Sequence, residues 1–478
     1  MAIVSQQAAR PGRWVELAML LLALAIGLYA YLQVGLATTG SPPAGMVTQV
    51  GVLVLLALVT HVVLRWRAPY ADPVILPTAV ALNGLGLAMI HRLDIAEGTA
   101  FASRQVLWTM LGMGAAVAVV VALRDHRLLR RYTYSAMIVG LAMLLLPLLP
   151  GLGREINGAR IWISLGGMSF QPAELAKILL AIFFAGYLVT NRDTLALAGR
   201  KVLGLQLPRV RDLGPILLAW GVALVVLVFQ RDLGTALLFF ALFVAMLYVA
   251  TERLSWVLIG LLLFGGGAAL AATTLGHVGA RFEVWLDALD PEVYSRQFGG
   301  SYQVVQGLFG MASGGLMGTG WGQGRPDIVP YANSDFIIAS LAEELGLTGL
   351  LAILLMYLVL VQRGMRAAIG VRDGFGTLLA SGLSFVVAFQ CFVVVGGVTR
   401  LIPLTGLTMP FLAQGGSSLL INWMIVAILL RVSDAARRPA AMTGDLPIGP
   451  LPTAGDVAEV TFRPTGDDAN PTEVVRLS

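Results

Sequence analysis

Long apolar runs separated by short polar clusters recur from Trp14 to Val432. A helix of roughly twenty such residues crosses the hydrocarbon core of a bilayer, because within lipid a helix pairs its backbone groups inside one segment. The pattern predicts about twelve spans, near 14–36, 46–65, 73–90, 105–123, 133–150, 171–190, 213–229, 233–250, 254–275, 335–361, 376–398 and 409–431. The third is the least apolar, and the join Gln230-Arg231-Asp232 is short enough to be a re-entrant turn. The first run is too long for the apolar part of a secretion signal and lacks a small-x-small cleavage site, so it reads as a retained span. The expected fold class is an all-α polytopic membrane protein.

Composition agrees: 57% of the 478 residues are hydrophobic and 12% charged, more apolar surface than one soluble core of this length buries. The net charge of +5 would suggest nucleic acid in a soluble protein. Here it comes from loop arginines, and no nucleic-acid partner is implied. Arg10 and Arg13, Arg65 and Arg67, Arg124 with Arg127, Arg130 and Arg131, Arg192 through Arg211, and Arg363, Arg366 and Arg372 all fall on one side of a twelve-span chain. By the positive-inside rule that side is the cytoplasm. Both termini are then expected in the cytoplasm, and the segments 151–170, 276–334 and 399–408 outside. Residues 1–13 form a cytoplasmic N-terminus and 433–478 a tail rich in Pro, Asp, Gly and Thr that reads as disordered.

Cys391 is the only cysteine and the four histidines lack ligand spacing, so no metal site is expected from them. The glycine-rich stretch Gly314 to Gly324 lacks the Gly-Lys-Ser/Thr ending of a phosphate loop and follows no strand. An outward-facing catalyst without nucleotide needs a substrate that carries its own activation.

Polar groups at membrane depth are costly and therefore candidates for function. Arg154 and Arg160 precede Glu174 and Lys177, which stand three apart on one predicted helix and can pair. A structural ion pair between helices is the plain alternative, and interfacial snorkelling is the alternative for the arginines. At Gln230-Arg231-Asp232 a helix beginning near Leu233 would turn its positive end towards an anion beside Arg231, with Asp232 as its cap. In the long outer segment Asp287 and Asp290 sit three apart beside Trp285, where burial could tune one as a general base; Asp-Pro also starts ordinary turns. Asp335 precedes an apolar stretch holding Glu343 and Glu344, which face different sides of a helix, so at least one needs an internal partner. Ser417 and Ser418 follow Gly415-Gly416, small residues that also permit close helix approach.

Five motifs in order, Ile156-Asn157-Gly158-Ala159-Arg160, Gln171 to Lys177, Asp232-Leu233-Gly234-Thr235, Ser334-Asp335-Phe336 with Ala342 to Gly346, and Pro403-Leu404-Thr405-Gly406 with Gly415 to Ser418, resemble the signatures of the RodA/FtsW (SEDS) family of peptidoglycan glycosyltransferases. The resemblance covers about residues 73–432 and implies a ten-helix core, with 14–72 an added helix pair. It implies polymerisation of lipid II, a disaccharide-peptide on a polyprenyl pyrophosphate, at the outer face of the cytoplasmic (inner) membrane. Asp290 in its Asp-Pro step matches the family's catalytic aspartate, with Asp287 the second choice because the loop spacing departs from the usual one. The substrate-binding candidates are Arg154, Arg160, Glu174, Lys177, Arg231, Asp335, Glu343, Glu344, Ser417 and Ser418. A divalent cation could share the work, although no ligand cluster requires one. The resemblance also implies a class B penicillin-binding protein, a transpeptidase, as partner.

The chain departs from the family pattern at Asn333, Val394, Arg400 and Ala413-Gln414; many relatives have a small residue in place of Arg400. The short Arg325-to-Pro330 segment is more similar to the elongation branch (RodA) than to the division branch (FtsW). The rivals to polymerisation are a lipid II flippase, which would distribute its charges through the bilayer depth, and a scaffold that only recruits the transpeptidase.

Overall fold

The computed structural model describes residues 12–439 except 44, 157, 166–167, 197–200, 203–204 and 207–213. The expectations for Arg10 and the N-terminus before residue 12, for part of the 192–211 arginine cluster and for the tail beyond 439 lie outside the described residues.

The first half of the chain forms α1 (Arg13–Thr39), α2 (Met46–Arg67), α3 (Ile75–Glu97), α4 (Phe101–Ala122), α5 (Thr133–Leu145), α6 (Pro172–Ala196), α7 (Gly214–Gln230) and α8 (Leu233–Thr251). Then come α9 (Leu254–Thr274), three short helices α10 (Gly276–Leu286), α11 (Pro291–Ser295) and α12 (Tyr302–Gly314), and the long α13 (Ile337–Gly370), α14 (Gly374–Val398) and α15 (Gly416–Arg437). Among the described residues eleven stretches are long and apolar enough to cross a membrane, one of them, His126–Leu148, built around α5. The 17-residue α7 is the twelfth expected span, at the lower end of the length that crosses a bilayer.

Contacts between helix ends show that the twelve alternate in direction. At one end Arg431 donates to the carbonyls of Arg67, Leu123 and Arg124, and Asp72 lies near Arg363 and Arg437. At the other, Gly322 packs on the last turn of α1, Arg92 meets Gly324, and Gln230 bonds Leu144 O. These are called the arginine-rich end and the loop end.

The third span, expected to be the weakest, lies among the most enclosed. The best window of α3 is 83% buried, against 28% for α2. Its low hydropathy follows, because Asn83, Arg92 and Asp94 face protein and not lipid. Asn83 donates to Thr109 Oγ1 at 3.3 Å and accepts from Trp423 Nε1 at 3.2 Å, linking α3, α4 and α15.

Several boundaries differ from the hydropathy pattern. Segment 151–170 carries an antiparallel sheet of β1 (Gly153–Ile156), β2 (Ala159–Leu165) and β3 (Met168–Phe170). The last span begins at Gly416, not near 409, because side chains satisfy the preceding backbone instead of helical bonds: Tyr357 donates to Pro410 O and Gln105 to Ala413 O at 3.1 Å. That helix then runs on to Arg437, so the first residues assigned to the tail are helical. Asp434 there pairs with Arg438 at 2.7 Å, and Arg437 stands 3.6 Å from Asp72. Within α13 the helix is interrupted at Gly346, whose φ of 68° and ψ of −175° lie outside what a side chain tolerates.

The added pair α1–α2 docks on α3 by close approach. A Cβ on Gly84 would stand 3.1 Å from the Cα of Gly27. At the arginine-rich end Glu16 joins Arg13 and, at 2.7 Å, His61 Nδ1, while Arg13 also donates to Ala71 O. Gly84→Leu drives a side chain into α1, and overpacking of this kind costs about 1–3 kcal/mol. A lower melting temperature in detergent is the expected result, whereas Gly114→Leu, with open space around its Cβ position, leaves it unchanged.

Candidate active site

All the candidate residues are at the loop end or within the helices just below it. The long segment 276–334 folds into α10 to α12 and the glycine-rich loop, and each part is held by a different buried group.

The glycine-rich loop is held by the two glutamates. Arg92 Nε donates to Glu344 Oε1 at 2.9 Å, and Gly322 N to Glu344 Oε2 at 2.9 Å. Arg325 N donates to Glu343 Oε1 at 2.7 Å, and Arg92 Nη2 reaches Gly324 O at 2.8 Å. Both glutamates therefore find internal partners, and both turn inward on the loop that covers them. Arg92 was not among the sequence candidates. A charged residue late in an apolar span was the signal that could have found it.

A second buried chain runs from Glu174 to the 399–415 segment. Lys177 Nζ stands 2.5 Å from Glu174 Oε2 and donates to Gln390 Oε1 at 2.9 Å; Gln390 in turn donates to Thr408 O at 2.7 Å. The pair thus links α6 to α14 and fixes the backbone of the turn after α14. Ser417 and Ser418 are buried at the start of α15, where Asn422 Nδ2 bonds Ser418 O at 2.8 Å.

Arg160 and Arg231 flank one turn. Gly153 packs so tightly on Pro147 O that a Cβ would lie 1.7 Å from it, and Arg160 Nε is 3.2 Å from that same Cβ position. Gln230, beside Arg231, donates to Leu144 O at the start of the same turn. Arg231 takes a left-handed φ of 57°, which lets the chain reverse direct from α7 into α8. Asp232 caps α8, accepting from Thr235 N at 2.9 Å and from its hydroxyl at 2.6 Å. Among the described residues Arg154, Arg160 and Arg231 have no side-chain hydrogen-bond or ion-pair partner.

Arg281, on α10, donates to Leu404 O at 2.7 Å and lies in the field of both Asp232 and Asp335. Asp335 precedes α13. Although part of its surface is accessible, it is enclosed by protein, and this burial pushes its carboxyl up to about 6, against the pull of a backbone hydrogen bond and of Arg281. Arg281 is a second charged group that sequence reasoning passed over.

Asp287 and Asp290 are both exposed on the segment after α10. Asp290 Oδ1 accepts from Glu292 N at 2.8 Å and from Val293 N at 3.4 Å, capping α11, while its Oδ2 makes no described hydrogen bond. No ion pair joins either aspartate to Arg154, Arg160 or Arg231 among the described residues. No group of three or more His, Cys, Asp or Glu able to hold a metal ion occurs among them either.

An alternating bundle of membrane helices, with buried charge pairs holding a folded carboxylate-bearing segment at one end, defines a polytopic membrane protein with a candidate site at its loop end. Residues 74–438 match the FtsW/RodA/SpoVE family profile, described as a cell cycle protein. The chain belongs to that family. It is 52% identical over 387 residues to the peptidoglycan glycosyltransferase RodA of Mycobacterium tuberculosis, covering 79% of this chain and 81% of that one. It is 32% identical over 383 residues to a probable peptidoglycan glycosyltransferase FtsW of a Geobacter species, covering 77% and 98%. Among solved structures, a variant of the Thermus thermophilus rod shape determining protein RodA superposes with a TM-score of 0.54 at 26% identity, covering 76% of this chain and 97% of that one. A chain from a peptidoglycan synthase complex, solved to show how polymerization and crosslinking are coordinated, gives 0.53 at 25%, covering 81% and 97%.

Two outcomes follow from the buried charges. Arg92→Ala strands Glu344 in the interior, and removing one partner of a buried pair costs about 3–5 kcal/mol. Thermal unfolding in detergent should show that loss, and Arg92→Lys a smaller one. Asp335, with its folded pKa raised, favours its protonated form in the folded state, so its contribution to stability is present below pH ~4 and lost as pH rises through about 6. Asp335→Asn should flatten the pH dependence of the melting temperature across that window.

Proposed function

We propose that this chain is a peptidoglycan glycosyltransferase of the RodA type, polymerising lipid II at the outer face of the cytoplasmic membrane. The observation that carries this reading is the 52% identity with the mycobacterial enzyme across 387 residues. The arginine-rich end is the cytoplasmic one by the positive-inside rule, which puts both termini inside and the loop end outside.

In the proposed reaction Asp290 takes the proton from the 4-hydroxyl of the acceptor sugar, and that oxygen attacks the anomeric carbon of the donor with inversion. The bond to the polyprenyl pyrophosphate breaks, and its electron pair leaves with the phosphate. The free carboxylate oxygen of Asp290 suits this task, since only Oδ1 is spent on capping α11. In this reading Arg154, Arg160 and Arg231 meet the charge that grows on the pyrophosphate, and their lack of a side-chain partner among the described residues supports that role. Lys177, engaged by Glu174 and Gln390, serves to hold the turn after α14. In this segment Glu283, Asp287, Asp290, Glu292 and Asp327 are the carboxylates that a divalent cation could meet, and the steps above are written with the chain's own side chains. The likeness to a chain of a synthase complex in which crosslinking accompanies polymerization supports a class B penicillin-binding protein as partner.

The test is glycan synthesis from lipid II by purified protein. Asp290→Ala should abolish the product at normal expression and folding, while Asp287→Ala retains it. Unchanged product from Asp290→Ala removes that residue from the mechanism, and a wild type that moves lipid II across vesicles but makes no strands identifies a flippase.

A further inference from the structure

The segment that carries Asp287 and Asp290 is one knitted unit. Asp290 N donates to Asp287 O at 3.0 Å, Ser301 N to Val293 O at 3.1 Å and Ser301 Oγ to the buried Ala288 O. Arg296 closes the unit on Glu283 at 2.7 Å. The unit hangs from the C-terminus of α10, so the direction in which both carboxylates face depends on where that helix end is fixed.

The last carbonyls of a helix lack partners within it. At α10 they are taken by one side chain from the turn after α14. Arg400 Nε and Nη2 donate to Trp285 O at 3.1 and 2.9 Å, and Nη2 also to Leu286 O at 3.1 Å. The indole of Trp285 donates back to Arg400 O at 3.0 Å. Arg400 adopts a left-handed φ of 57°, a conformation that L residues seldom take without compensation. The planar fork suits two adjacent carbonyls, and its charge complements the negative end of the helix. One turn earlier on the same face, Arg281 bonds Leu404 O of the same segment.

We infer that Arg400 is a positioning residue for glycosyl transfer: with Trp285 it forms a reciprocal clasp that sets the carboxylate-bearing unit against the turn fixed by Gln390. The clasp touches neither sugar nor phosphate and acts through the placement of Asp290. Its catalytic part rests on the polymerase reading, whereas its structural part does not.

Two measurements on the purified full chain separate these. In lipid II polymerisation, Arg400→Ala should lower kcat about tenfold to a hundredfold, the scale of a small misplacement of a reacting group. KM for lipid II should hold, Arg400→Lys should recover part of the rate, and adding Trp285→Phe to Arg400→Ala should cost little more. In deuterium exchange, amides 284–290 of Arg400→Ala should exchange about tenfold faster, as a locally released helix end does, with α13 unchanged. Unaltered exchange overturns the clasp even if the wild type makes no glycan, an outcome that would itself contradict the polymerase reading. Faster exchange with full kcat, a loss confined to KM, or losses from the two substitutions that multiply overturns the positioning role.

Discussion

Hydrocarbon offers no water to a stray donor or acceptor, and the arrangement of this protein follows from that constraint. Every charged group deep in the bundle must find its partner on another part of the chain, and the partners chosen decide which segments are joined. Arg92 and Glu344 are the clearest case: their pairing joins α3 to α13, and the capacity left over fastens the glycine-rich loop through Gly322 N and Gly324 O. The Glu174, Lys177 and Gln390 chain does the same for α6, α14 and the turn at Thr408. Neither pair is strong evidence for stability by itself, since desolvation offsets much of the attraction. What they supply is register, because the Arg92–Glu344 and Lys177–Gln390 contacts close only in one arrangement of the helices.

That division separates two kinds of charge. Groups spent on the scaffold are buried and bonded, while those to which the proposed reaction assigns the chemistry are at the loop end with unspent capacity: the three arginines around β1, β2 and the start of α8, and Oδ2 of Asp290. A transfer reaction that releases pyrophosphate needs both kinds, a fixed frame and free cations where charge develops. The frame reaches the carboxylates through the turn after α14, which Gln390 holds from below and Arg400 joins to α10.

The spans were legible because lipid imposes a length and a composition on each helix. Their alternation, the family motifs and the clustering of arginines at one end were legible for the same reason. The polar partners were not. Glu343 and Glu344 announced that a partner existed, but Arg92 stands some 250 residues away in the chain and no local rule connects them. The low hydropathy of the third span is the visible trace of its enclosure by protein. The sheet at 153–170 and the irregular 409–415 stretch escaped because short strands and side-chain-satisfied turns leave almost no periodic signal. For the candidate site, residue types and motifs pointed to residues that the fold gathers at the loop end, while the contacts of Arg281 and Arg400 depend on carbonyls that a sequence does not show.

The central claim is that the carboxylate-bearing segment and the arginine-rich end are on opposite sides of the membrane, with the former outside. The only native cysteine, Cys391, is buried, so single introduced cysteines report cleanly. Phe298, 84% exposed, belongs to the knitted segment; the side chain of Arg127, 59% exposed, is at the other end. An impermeant maleimide applied to intact cells should label Phe298→Cys, and should label Arg127→Cys only after the membrane is opened. The reverse pattern would put the segment on the side where lipid II polymerisation cannot occur and would contradict the account.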